Sequence, residues 1–205
     1  MKKEYILGIL FFGGLWGISE ALLGGFLYRI GFNYASVPLT IIGFIIMTMA
    51  GVYFPRMGTA TLIAAFAMLY KFLNIPFYGC HLLGILMTGL CYDLFFNIIK
   101  IKRPSISAAA ATYLSYALFG LMITYVFQYE HWVMKGFSGV LRHIAISGSM
   151  AALGCAVFVP NCIKLTERFK TNLIQAFTMR LQFVPGSVLA VTIGLWCFSI
   201  AAYIF

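Results

Sequence analysis

Long apolar runs separated by short polar or basic breaks organise this chain. The runs fall at about Tyr5–Tyr28, Val37–Phe54, Gly58–Leu73, His81–Ile99, Ile106–Phe127, Val140–Val159 and Val184–Phe205. A membrane-spanning helix needs about 20 apolar residues. The pattern therefore predicts an all-α, polytopic transmembrane helical bundle of six to seven spans, forming a single domain over residues 1–205. The Met1-Lys2-Lys3 start resembles a signal peptide, but the run behind it is long and has no A-x-A site, so it reads as an uncleaved span. Segment three is short and is followed by a break over residues 74–80, where Pro76 removes a backbone donor and Gly79 relaxes the chain. Broken backbone at membrane depth is tolerated where it is buried or lines a cavity.

The stretch Asn161 to Phe183 has a different period. Leu165, Phe169, Leu173 and Phe177 recur every fourth residue, with Lys164, Arg168, Lys170 and Gln175 among the polar positions between them. This predicts a basic amphipathic connector before the last helix, either lying on the inner membrane surface or docking a cytoplasmic partner.

Composition supports the membrane reading. The chain is 62% hydrophobic with a mean hydropathy of +0.97, and 9% of its residues are charged, against roughly a quarter in a soluble domain. A water-soluble globule, a disordered chain and a secreted disulfide module are excluded. The five cysteines form no CxxC pair, and most sit in apolar runs, where a thiol acts as a small hydrophobe. The net charge of +9 comes mainly from residues between the runs. They read as topology determinants and contacts for anionic lipids, not as a nucleic-acid surface.

Those charges set an expected orientation. With the N-terminus inside, Lys2, Lys3, Arg56, Lys100, Lys102, Arg103, Lys164, Arg168, Lys170 and Arg180 lie inside, against Arg29, Lys71, Lys135 and Arg142 in the outer half. The bias places the N-terminus in the cytoplasm and the C-terminus outside an inner cell membrane.

Ionisable groups inside spans are costly, by roughly 2.5–3.5 kcal/mol on insertion scales. Here they gather at one depth. Glu20, Lys71, His81, Arg142 and His143 all fall in the outer half, with Glu130 and His131 just beyond. They predict a polar substrate pocket, with Glu20 and His81 deepest. The competing reading is that Glu20 pairs with Lys71 or Arg142 only to join helices. Tyr28, Asn33, Tyr34, Tyr78, Tyr129 and Trp132 share that side, where an aromatic interface belt accounts for the rings. Asp93 alone among the span acids lies in the inner half, as a structural partner for Lys100 or another basic residue.

Segment one carries Gly13, Gly17, Ala21 and Gly25 at four-residue spacing. Such a stripe lets another helix approach closely, whether from this chain or from a separate subunit. There is no HExxH, GxSxG, P-loop or GxGxxG strand–helix context. No catalytic residue, cofactor or metal site is assigned, and any ATPase must come from a partner. An intramembrane enzyme or assembly factor using Glu20 and His81 as an acid–base or metal-binding pair is the alternative class.

The segment Gly13-Gly14-Leu15-Trp16-Gly17-Ile18-Ser19-Glu20-Ala21, with its small-residue stripe, resembles the first helix of the energy-coupling-factor (ECF) transporter S components. The likeness covers mainly the first 100 residues. It implies about six helices, a small-molecule substrate held near the extracytoplasmic face, and a membrane T-like subunit driven by cytoplasmic ATPases. It also implies that Gly13, Gly17 and Ala21 contact that subunit. The family's substrate residues vary with the ligand, so none is carried over.

Overall fold

The computed structural model describes residues 2–73 and 79–177, together with 190, 191, 193, 194 and 197. Segment seven and the break at 74–78 therefore lie largely outside the described residues.

Every described regular element is helical. They are α1 (Lys2–Arg29), α2 (Ser36–Tyr53), α3 (Thr59–Leu69), α4 (Gly79–Asp93), α5 (Pro104–Leu121), α6 (Glu130–Arg142) and α7 (Ser149–Phe177). A 3₁₀ turn (Tyr70–Leu73) extends α3, and π-helical turns follow α4, α5 and α6. Five helical stretches are long and apolar enough to cross a membrane: Glu4–Arg29, Ser36–Tyr53, Gly79–Ile99, Pro104–Val126 and Glu130–Lys170. Thr59–Phe72 is apolar but shorter.

Local chemistry sets the boundaries. Phe54 caps α2 outside the helical region, and Pro55 behind it disfavours helix for the residue it follows. Pro104 opens α5 behind an extended Arg103, where its missing N–H costs nothing. Gly58 precedes α3 in the left-handed region (φ 85°) and offers no capping side chain. Asp93, at the end of α4, supplies the cap instead. Its Oδ2 accepts from the Thr61 amide at 2.8 Å and from Thr61 Oγ1 at 2.6 Å, and its Oδ1 accepts from Asn97 Nδ2 at 2.7 Å. The sequence expectation of a basic partner is thus corrected: Asp93 binds α3 and its own π turn, and Lys100 lies exposed beyond that turn.

The helices close into a ring. α1 packs on α2 and α3, α3 on α4, α4 on α5, α5 on α7, and α7 back on α2. Trp16, Phe44, Ile63, Cys91, Tyr92, Ala111, Cys155 and Val159 fill its centre. Small residues permit the close approaches. A Cβ on Gly13 would stand 2.7 Å from Phe66 Cδ1, one on Gly17 would overlap the Tyr70 ring, and one on Gly43 would stand 2.7 Å from Trp16 Cζ2. Dense packing of this kind is a main source of helix association where lipid supplies no hydrophobic contrast.

Two expectations about the sixth segment change. Gly136 (φ 60°, ψ −167°) breaks α6, so Glu130–Lys135 forms a short piece of its own before the chain turns into the span. The predicted connector is no separate helix as far as Phe177, because α7 runs through Pro160 without interruption to that residue. Thr166 is buried, whereas Leu165 and Phe169 are exposed, so these two members of the apolar stripe face away from the bundle. Lys170 Nζ donates to the Val52 carbonyl at 2.7 Å, satisfying one of the carbonyls left open at the end of α2.

Candidate functional site

The ring has two unlike ends. One gathers the start of α1, the end of α2 and the start of α3, joined by the Tyr5–Thr59 hydrogen bond at 3.1 Å. Arg56, Lys100, Lys102, Arg103, Lys164 and Lys170 belong to this end. The other holds a cavity of about 1390 Å³, lined by the end of α1, the starts of α2 and α4, α5, and α6 with its π turn.

Three of the five predicted pocket residues, Glu20, His81 and His143, line this cavity. Lys71 does not line it but reaches Glu20 from the 3₁₀ turn after α3. Its Nζ lies 2.9 Å from Glu20 Oε2 and donates to the Glu20 carbonyl at 3.0 Å. Both residues are buried, Glu20 at 6% and Lys71 at 2% exposure. Arg142 is exposed and outside the lining. It precedes His143 on a helical backbone, where successive side chains point about 100° apart, so the pair cannot both face inward. Glu20 thus joins helices through Lys71 and also borders the cavity.

Rings build much of the wall. Tyr28 stacks on His81 with centroids 5.0 Å apart, and Tyr116 stacks on His143 at 5.0 Å. Trp132 meets His143 edge-on at 5.0 Å and Phe119 at 5.3 Å. Of the rings assigned to an interface belt, Tyr28, Tyr129 and Trp132 line the cavity, as does Asn33 from the same side, while Tyr34 packs on the Val37–Tyr116–Ala151 cluster. Trp16 closes the deep end. It is 1% exposed, and its Nε1 has no hydrogen-bond partner among the described residues.

Charge balance follows from the pairing. Glu20 is the sole acidic residue lining the cavity among the described residues, and Lys71 neutralises it. The remaining charged lining groups are cations: Arg29, and Lys135, whose Nζ sits 5.2 Å from the Trp132 ring centroid. Among the described residues no group of three or more His, Cys, Asp or Glu converges as a metal site would require.

The small-residue stripe divides. Gly13 and Gly17 face α3 of the same chain, under Phe66 and Tyr70, whereas Ala21 and Gly25 open onto the cavity. Sequence reasoning missed Trp16, Tyr116, Phe119 and Lys135. Trp16 and Lys135 carried a signal, one lying four residues before Glu20 and the other being an outer-half cation. Tyr116 and Phe119 sit in an unbroken apolar run and carried none. No family model matches this chain, and neither a curated protein nor a solved structure was found to match it.

Proposed function

We propose that this chain is a membrane-embedded substrate-capture subunit that holds a small solute bearing an anionic group and a planar ring. The observation that carries this reading is the charge balance of the cavity. Glu20, its one acid among the described residues, is already paired, so the described lining presents uncompensated positive charge from Arg29 and Lys135. Fixed positive groups bordering a low-dielectric wall favour an anion. The aromatic wall favours a flat partner by stacking.

The distribution of basic residues supports an outward-facing cavity, since the opposite end carries the groups expected to remain in the cytoplasm. The work of moving the solute would fall to a membrane T-like subunit with cytoplasmic ATPases, as in the ECF S components that the first helix resembles. With Gly13 and Gly17 covered by α3, that subunit would meet another face.

Native mass spectrometry of the protein purified in mild detergent tests the reading. The expected result is a retained non-lipid molecule with a ring and a carboxylate or phosphate, lost in the Arg29→Gln/Lys135→Gln variant with the unfolding temperature unchanged. A retained cation, or a ligand that survives the double substitution, overturns it.

A further inference from the structure

A second concavity lies at the opposite end, between the start of α5 and α7. It has a volume of about 550 Å³. Its lining combines three cations, Lys102, Arg103 and Lys164, with the apolar Ile106, Pro160 and Ile163, and both the start of α5 and α7 contribute to each set. All three cations are exposed, and among the described residues none has a carboxylate within ion-pair distance. Three unpaired positive charges on one small groove repel one another and call for an anion. The apolar part of the lining is accessible too, with Ile106 at 47% exposure.

We propose that this groove binds the headgroup phosphate of an anionic phospholipid. Lys102, Arg103 and Lys164 hold the phosphate, with Arg103 able to offer two parallel N–H donors. Ile106, Pro160 and Ile163 take the first methylenes of an acyl chain. A free phosphate would use only the first set, and a neutral lipid only the second. An anionic lipid uses both, which is why the groove commits to it. Basic pockets between spans have this character where the surrounding leaflet carries negative lipid. Bound there, the lipid would tie the start of α5 to α7, which meet along small buried residues such as Ala108, Ala111, Ala152 and Cys155.

The test loads the purified full-length protein with an equimolar mixture of phosphatidylglycerol and phosphatidylcholine of matched chains and reads the bound lipid by native mass spectrometry. Wild type should retain phosphatidylglycerol in preference. The Lys102→Gln/Arg103→Gln/Lys164→Gln variant should lose that preference by about tenfold or more, given a roughly fivefold contribution per basic side chain. The Arg56→Gln/Lys100→Gln control, altered at the same end but outside the groove, should keep it. Lys164→Glu alone provides a milder variant should the triple one fail to fold, and it should also lower the preference. Excess inorganic phosphate should leave the bound lipid in place. Equal retention of the two lipids, an unchanged Lys164→Glu variant, equal loss in the control, or displacement by phosphate would each overturn the proposal.

Discussion

Lys71 reaches Glu20 from a neighbouring helix and holds it twice, through the carboxylate at 2.9 Å and through the backbone carbonyl at 3.0 Å. The contact fastens the end of α3 to the middle of α1 directly beside the cavity. Its burial makes it a contact between two ions that depend on each other, because either charge alone would face a low-dielectric surrounding.

Removing both partners should therefore cost clearly less than the two single removals added together. Glu20→Gln and Lys71→Met are each expected to destabilise the protein by about 3–5 kcal/mol, and the double variant by clearly less than their sum. Thermal unfolding of the four proteins in one detergent measures the cycle. Additive losses would show that the pair is not coupled.

The convergence of Glu20, His81 and His143 was legible in the sequence because a titratable group in an apolar run is costly enough to demand company. The choice of Lys71 over Arg142 was not. It depends on which side of a helix each residue faces, and the π turn beginning at His143 shifts that register. The cavity rings were equally ambiguous, since an interface belt and a binding wall draw on the same residue types. The stretch after Pro160 shows a further limit. Its period established that Leu165 and Phe169 share a face, but a period cannot say which face the rest of the protein covers.

Asp93 offers a second test, this time of the fold at the basic end. Gly58 provides no cap, so the Thr61 amide depends on Asp93 from α4. Asp93→Ala should cost about 1–3 kcal/mol by stranding a donor that the native fold buries. Asp93→Asn keeps an acceptor oxygen and should cost less. Lys100→Ala, which removes the partner suggested by sequence, should change the unfolding temperature little. A large effect of Lys100→Ala would contradict the capping role.

The divided glycine stripe predicts a split between stability and binding. Gly17→Ala places a methyl group against the Tyr70 ring, and relief requires helix movement, for an expected loss of about 1–3 kcal/mol. Gly25→Ala adds its methyl to the cavity lining and should leave the stability within about 0.5 kcal/mol of wild type, as away from a packed core, while weakening retention of any bound solute. If the two variants lost equal stability, the stripe would be one continuous packing face.

Orientation can be read independently of any ligand. Met57 and Met134 are among the most exposed large side chains, at 72% and 74%, and they mark opposite ends: Met57 sits between α2 and α3, and Met134 lies beside Lys135 at the cavity. The basic bias predicts that Met57 is cytoplasmic and Met134 external. In a background with the native cysteines replaced, a membrane-impermeant maleimide added to intact cells should label Met134→Cys and spare Met57→Cys until the cells are broken. The reverse pattern would place the cavity in the cytoplasm. A capture role from outside would then fail even though every distance within the site stayed the same.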